Sequence, residues 1–239
     1  EWCDEINILL DMMKELSVIV GDLISQIDNS VQGKYDASTE RTYICDTKWM
    51  RVGKIVTDSS DREYRITEVV DDEYCTSKPK DLASPPLDGK IYLPAPFYIS
   101  GTKLATNREW TLSTNDLREK TPLAWLLEII RISKLGRGES IDFESEIRLF
   151  FLDETDVRNY YTKYHRMNVV YPMERLAQQF IKTIEKDRSF ETLESYDLTT
   201  FSRFGMEDEK GIFENILDAN LSGVELRVNL RKYKINCKC

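Results

Sequence analysis

The order in which helical and strand-like segments follow one another constrains the fold of this chain more than any other feature. Apolar residues recur at three- and four-residue steps from about Cys3 to Asp28, which predicts an amphipathic helix. β-type segments follow, a second helix is predicted from Pro172 at its first position, and alternation over Val224–Arg231 predicts a last strand. Strands and helices are segregated rather than alternating as βαβ units. This order predicts an α+β fold, a mainly antiparallel or mixed sheet covered by the two helices.

The region before residue 101 carries most of the β-type segments. The turn residues Asp58–Asp61 join two of them into a predicted hairpin. Pro94 and Pro96 cannot donate ladder hydrogen bonds, so the segment that contains them is an edge strand or two short strands. These segments are Thr42–Cys45, Trp49–Thr57, Glu63–Val70 and Lys90–Ser100.

An apolar run over Leu123–Ile132 is compatible with a helix that has Pro122 at its first position or with a strand buried on both faces. The turn chemistry of Gly136–Gly138 and the apolar segment Ile141–Leu152 favour a central hairpin. Before this run, Gly101–Lys103 is predicted to open a loop that ends near Trp110. Residues 212–217 fit a short strand or a turn of helix.

The chain has 239 residues, of which 41% are hydrophobic and 31% charged, a composition typical of a globular domain rather than a disordered chain. We expect a single α+β domain over residues 1–239, with long loops at about 76–89 and 190–211. No window approaches the roughly 20 apolar residues of a membrane-spanning helix, so no membrane partner is expected. The first residues lack the features of a signal peptide.

No catalytic motif stands out. The chain lacks a G-x-S-x-G elbow, an H-E-x-x-H helix, a phosphate-binding loop and a dinucleotide fingerprint. Its single histidine, His165, lies in a tyrosine-rich segment without a nearby nucleophile motif, and we expect it at the surface or in an interface. The prediction is therefore a protein that is not an enzyme. The alternative is a metal-dependent nucleic-acid-processing enzyme that uses the acidic cluster Glu207–Lys210.

Five cysteines with irregular spacing favour a reducing compartment over a disulfide framework. Cys237 and Cys239 form a C-x-C pair, and Cys45 and Cys75 would complete a four-thiolate metal site only if the fold brought them together. Free thiols are the simpler interpretation, and neither a metal nor a cofactor is expected.

Four stretches of the chain resemble proteins encoded in the structural-gene regions of tailed phages and prophages of Bacteroidetes-type bacteria. The element layout is also similar to that of tail-terminator and neck (head–tail connector) proteins, in which a helix packs on a sheet, a further helix follows and a late strand completes the sheet. The stretches are Lys48–Asp58, Gly101–Trp110, Lys120–Glu128 and Leu221–Leu226.

The resemblance implies a non-enzymatic virion structural protein, assembled in the host bacterial cytoplasm. It would form a ring by head-to-tail contacts at the connector, neck or tail terminus, beside portal, adaptor and tail proteins. DNA would pass through the ring without sequence-specific binding. The net charge of −9 disfavours tight binding to DNA phosphates. It suits a ring whose inner surface repels DNA, so that DNA passes through without binding. The alternative without catalysis is a monomeric acidic adaptor or immunity-type protein that masks a basic partner.

A ring needs exposed aromatic or charged contact residues. Aromatic side chains around residues 97 and 160 are candidates because tyrosine and phenylalanine are enriched at interfaces, and local packing is the alternative. Arginines of the last strand are candidates for a partner's carboxylates, and a solvated strand face is the alternative. The interface candidates are Phe97, Tyr98, Tyr160, Tyr161, Tyr164, Arg227 and Arg231.

Overall fold

The computed structural model describes residues 15–113, 116–128, 131–135, 142–156, 158, 162–187, 190–191, 193, 195–208, 211–217 and 219–231. Within these residues, helix α1 spans residues 15–25. The predicted start of this helix near Cys3 lies outside the described residues, and its end comes slightly before the predicted Asp28. Four buried residues of α1 and one just after it keep the predicted spacing: Leu16, Val20, Leu23 and Ile24, followed by Ile27.

After α1, six short antiparallel strands close into a barrel in the order β1-β2-β5-β4-β3-β6. Strands β3, β4 and β5 are consecutive, and β6 returns beside β3, which is a Greek-key arrangement. Buried and more exposed side chains alternate along β1, β2 and β3 and over the first half of β4, as the two-residue period requires. The strands are β1 (Ser30–Asp36), β2 (Arg41–Ile44), β3 (Ile55–Asp58), β4 (Glu63–Val70), β5 (Tyr74–Pro79) and β6 (Gly89–Tyr92).

The remaining chain builds an open mixed sheet in the order β11-β14-β10-β8-β7, with β9 also paired to β10. Only β7 and β8 run parallel within this sheet. Strands β12 and β13 form a separate two-stranded pair. The strands are β7 (Phe97–Gly101), β8 (Leu123–Leu127), β9 (Arg131–Leu135), β10 (Asp142–Glu154), β11 (Tyr196–Phe201), β12 (Met206–Asp208), β13 (Gly211–Glu214) and β14 (Leu221–Arg231).

The helices of this half are α2 (Lys103–Leu112), α3 (Leu117–Lys120) and a continuous helical segment made of α4 (Lys163–His165), a π-helical turn (Arg166–Val170) and α5 (Tyr171–Lys186). The predicted second long helix is confirmed as α5, with Pro172 in its first turn, but helical backbone already begins at Lys163, where Thr162 caps the segment by accepting a hydrogen bond from the His165 N–H. Pro172 has no N–H to donate, and the π-helical turn ends two residues before it, at Val170.

Both faces of the open sheet are buried over much of their area. One face packs against α1 and α5, and its side chains share one contiguous core with the inward residues of the barrel. The opposite face packs against α2 through Trp110, Trp125 and Phe150, with Phe204 closing the cluster. At roughly 1.5–3 kcal/mol for each large apolar side chain removed from water, these two clusters are the main source of stability.

The general α+β class is confirmed, and so is the central hairpin, since β8 and β9 both pair antiparallel with β10. The loop predicted from Gly101 to Trp110 is wrong: Thr102 caps α2 by accepting from the Ala105 N–H. The predicted strand over Trp49–Thr57 begins only at Ile55, because Lys48 and Gly53 adopt left-handed backbone conformations.

The two predicted long loops are shorter than expected. Strand β5 extends to Pro79, and β11 and β12 lie within 190–211. The apolar run Lys90–Ser100 divides into two short strands, as the prolines suggested, and residues 211–214 form a strand. Across the described part of the chain, no helix has both the length and the apolar character needed to cross a bilayer.

Candidate functional site

The interface candidates Phe97 and Tyr98 lie on β7, and both make contacts within the subunit. The Tyr98 hydroxyl donates to the Ser17 carbonyl oxygen on α1 at 2.8 Å, and its ring lies against Gly21, where a Cβ would approach it to 3.0 Å. Phe97 is half-buried against the cluster around Trp125. The structure thus gives both side chains an intramolecular role in holding α1 and α2 to the sheet.

The basic candidates Arg227 and Arg231 lie on β14, and carboxylates of the same subunit compensate both. Arg227 donates to the buried Glu225, which Arg148 also contacts. Burial would raise the pKa of the Glu225 carboxyl, but hydrogen bonds from Arg227 and Arg148 outweigh it and hold the pKa below its ordinary value. Arg231 bonds Glu144 at 3.1 Å.

Tyr160 and Tyr161 lie outside the described residues, whereas Tyr164 is exposed on the continuous helical segment. It retains 56% of its accessible surface, and Met167 and Tyr171 retain 42% and 38%. All three side chains are exposed on the solvent-facing side of the helical segment, and the π-helical turn between Tyr164 and Tyr171 changes their angular spacing from that of an α-helix. We call Tyr164, Met167 and Tyr171 the aromatic stripe.

The opposite side of the same helical segment is fully buried. Its apolar residues pack on β10 and β14, and Phe180 packs against Phe151 with ring centroids 5.8 Å apart. A helix of this kind is fixed on its inner face, so the aromatic stripe is presented on a rigid support. The buried residues are Val169, Val170, Pro172, Met173, Leu176, Ala177, Phe180, Ile181 and Ile184.

One turn beyond the aromatic stripe, Arg175 fastens the helix to the barrel. Its two terminal nitrogens donate to the two Asp72 carboxylate oxygens at 2.7 and 2.6 Å, and it also contacts the Thr47 hydroxyl. The Arg175 hydrogen bond lowers the pKa of Asp72 to about 2. The stripe therefore borders the junction between α5 and the barrel.

A second junction lies deeper in the molecule, where Asp153 at the end of β10 meets two cations from the segment between β2 and β3. Lys54 Nζ lies 2.7 Å from one Asp153 oxygen and 2.5 Å from the Thr121 hydroxyl, and Arg51 lies 3.3 Å from the other Asp153 oxygen. Burial lowers the pKa of Lys54, and the Asp153 carboxylate opposes that change. We call Arg51, Lys54, Thr121 and Asp153 the Asp153 cluster.

His165 is buried, so the expectation of a surface position is wrong. Its Nε2 lies 3.0 Å from the hydroxyl of Ser222, which is also buried. That hydroxyl donates to the Ser202 carbonyl oxygen at 2.7 Å, so it accepts from the imidazole N–H. Burial and the charge of Arg51 lower the pKa of His165, which keeps the ring neutral at pH 7. The pair joins α4 to β14.

The metal-site alternatives fall mostly outside the described residues. Among the described side chains, no three His, Cys, Asp or Glu residues are grouped as a metal site would need. Cys45 is exposed and Cys75 is buried, and burial raises the pKa of the Cys75 thiol to about 12. The side chains of Glu207–Lys210 and of the C-terminal cysteines are outside the description.

Helix α2 carries further exposed apolar surface. Leu104 and Leu112 retain 82% and 73% of their accessible surface and line a shallow cleft with Ala105 and Arg108. Leucine is under-represented among the residues that dominate binding energy, whereas tyrosine is over-represented. The aromatic stripe is therefore the stronger interface candidate.

Sequence reasoning identified Tyr164 but missed Met167 and Tyr171. Their spacing of three and four residues is visible in the sequence. It indicates a helix only if that helix begins at Lys163, ahead of Pro172. Compared with known proteins, the chain matches no protein-family model and no curated protein.

Proposed function

We propose that this chain is a non-enzymatic structural subunit of a tailed phage, which assembles with copies of itself into a ring at the head–tail connector, neck or tail terminus. The observation that carries the proposal is the aromatic stripe, in which Tyr164, Met167 and Tyr171 are exposed on a helix whose other side is locked into the core. Tyrosine and methionine are enriched at protein interfaces and give large contact area.

The layout of the open sheet supports the phage assignment. Helix α1 packs on the sheet, α5 follows later in the chain, and β14 is inserted last, between β10 and β11. A helix packed on a sheet, a further helix and a late strand are also the features on which the resemblance to tail-terminator and neck proteins rests. The barrel between α1 and β7 is then an elaboration of that arrangement, and its place beside portal, adaptor or tail proteins is part of the proposal.

The contact that builds the ring is heterologous, with the aromatic stripe of one subunit against a different surface of the next, since head-to-tail contacts close into cycles. The net charge of −9 keeps the lumen from retaining DNA phosphates as DNA passes. The buried charges of the Asp153 cluster serve a different purpose, because they are directed inward and hold the barrel on the sheet.

The proposal is tested by replacing the aromatic stripe with glutamine, a good helix former, in the triple variant Tyr164→Gln, Met167→Gln and Tyr171→Gln. Light scattering and negative-stain images of the purified protein should show rings for the wild type and subunits for the variant, with association weakened at least about 100-fold. The melting temperature should change little because the three side chains are exposed.

The matched control is Leu104→Gln with Leu112→Gln, which removes the exposed apolar surface of α2 and should leave the rings intact. If the control disperses the rings and the triple variant does not, the contact lies on α2. A wild type that forms no closed oligomer at any concentration, alone or with a phage portal or tail assembly, contradicts the proposed function and favours the monomeric adaptor.

A further inference from the structure

The open sheet ends in an edge strand, β11, that lacks lysine, proline and a bulge and whose one charged residue is Asp197. Strand β11 pairs with β14 over six residues, from Tyr196 opposite Val228 to Phe201 opposite Gly223. Among the strands that the structure describes, none pairs with its other edge. Its residues are exposed or half-buried along the whole length. Within the part of the chain that the structure describes, the outer edge of β11 therefore keeps a row of backbone N–H and C=O groups without a strand partner.

Edge strands of soluble proteins normally carry lysine, proline, a bulge or an inward charge that prevents pairing with another chain. The β11 sequence, Tyr-Asp-Leu-Thr-Thr-Phe, contains no lysine or proline, and its register with β14 has no bulge. Aromatic and β-branched residues, which favour strands, make up four of its six positions. The strand is thus suited to pairing.

Charge also permits pairing between like copies of this acidic chain. The only charged residue of β11 is Asp197, and it lies directly opposite Arg227 in the β11–β14 ladder. Its carboxylate therefore lies opposite a cation of the same subunit in the ladder, although the guanidinium of Arg227 bonds Glu225. Two such edges can approach each other without the repulsion that the overall charge of −9 would produce elsewhere on the surface.

We propose that the outer edge of β11 binds the β11 strand of a second copy, antiparallel about a two-fold axis at Thr199. This register places Thr199 opposite Thr199 of the second copy and each Asp197 opposite a Phe201. A register centred on Leu198 would bring the two Asp197 carboxylates to diagonal positions, which is less favourable. The two sheets then continue into one another, and the exposed backbone groups of both copies are satisfied.

This contact goes beyond the proposed ring and uses a different surface. It is isologous, whereas the ring contact of the aromatic stripe is heterologous. A six-residue strand pair is a small interface, so the dimer belongs to the weak class and should depend on protein concentration. When both contacts form, two rings associate back to back; when only the edge contact forms, the product is a dimer.

The test is light scattering over a range of concentrations on the wild type and Thr199→Lys, which places two ammonium groups opposite each other at the two-fold axis. We expect the wild type to double its mass as concentration rises and the variant to need at least about tenfold more protein. The matched control is Thr67→Lys, an exposed threonine on a barrel strand, with an unchanged mass profile.

Charge complementation tests the register. Thr199→Glu should also fail to pair with itself, and an equimolar mixture of Thr199→Lys and Thr199→Glu should recover the doubled mass. A wild type whose mass never doubles, a Thr199→Lys profile equal to that of the wild type, or a mixture without recovery would overturn the inference. The result is separable from the proposed function, because Thr199→Lys leaves rings of the aromatic stripe intact and the stripe variant leaves edge pairing intact.

Discussion

The barrel and the open sheet are both built mainly from antiparallel ladders, but they treat their strand edges in opposite ways. In the barrel, every strand has two neighbours because β6 pairs with both β1 and β3. In the sheet, the ladder stops at β11, whose outer edge is open among the described strands. In the closed barrel, neighbouring strands satisfy each other's backbone hydrogen bonds. The outer edge of β11 in the open sheet can still pair with another strand.

The two regions also differ in how they are held. The sheet is covered on both faces by apolar clusters, whereas the barrel joins it through a shared core together with two ionic junctions, the Asp153 cluster and the Arg175–Asp72 pair. The barrel is therefore joined to the sheet by apolar packing and by buried or half-buried charge pairs.

The largest effect is expected at the Asp153 cluster. Asp153→Ala would leave the buried Lys54 and Arg51 without their shared carboxylate, and removing one partner of a buried ion pair costs about 3–5 kcal/mol of unfolding free energy. Urea unfolding measures the change without screening the charges. A second, earlier transition in the variant would show that the barrel has separated from the sheet.

The control is Asp156→Ala, three residues further along the chain. The Asp156 carboxylate is more than half exposed, and its ion pair with Arg158 is long, at 3.8 Å. An exposed pair of this kind contributes about 0–1 kcal/mol, so the two variants should differ clearly. Equal losses at both positions would mean that the buried ion pairs do not hold the two regions together.

The next largest loss of stability is expected at Gly223 in the sheet, and Gly89 in the barrel is its comparison. A Cβ at Gly223 would lie 2.0 Å from the Phe151 carbonyl oxygen, so Gly223→Ala forces β14 away from β10 and should cost about 3 kcal/mol. Gly89 has open space around it and only a left-handed backbone, with φ of 77°, so Gly89→Ala should cost roughly 1 kcal/mol. Thermal unfolding of both variants gives the comparison, and a larger loss at Gly89 would reverse it.

How much of the fold the sequence predicts depends on whether the signal of an element is local or comes from residues far away in the chain. The hairpin of β3 and β4 was predicted because its signal is local: a turn cluster at Asp58–Asp61 between two alternating segments. The structure shows the chemistry, with the Asp58 carboxylate accepting from the Ser60 and Arg62 N–H groups. The hairpin of β8 and β9 with β10 was predictable for the same reason.

Elements that depend on distant partners were missed. The parallel pairing of β7 with β8 joins segments separated by α2 and α3, and no local pattern specifies it. Residues 49–54 have β-type composition, but Arg51 and Lys54 turn inward to reach Asp153, about a hundred residues away. His165 was placed at the surface because its partner Ser222 is distant in sequence. Of the candidate site, only Tyr164 was found, since the others required the correct helix start.

The smallest effect concerns the junction beside the aromatic stripe and its dependence on pH. Arg175 holds the pKa of Asp72 at about 2, below the value near 3.9 of an unfolded aspartate, so the pair stabilises the fold above about pH 4 and this contribution is lost as the pH falls towards 2. The carboxylate is almost half exposed, and solvent screening limits the contribution to less than about 1 kcal/mol.

Unfolding free energy measured between pH 5 and 2 should therefore fall more steeply for the wild type than for Asp72→Asn. Arg175→Gln should flatten the profile equally, and the double variant should add nothing further. A wild-type profile parallel to both variants would mean that the Arg175–Asp72 ion pair does not help to hold α5 to the barrel, which would leave the shared core and the Asp153 cluster to join the two regions.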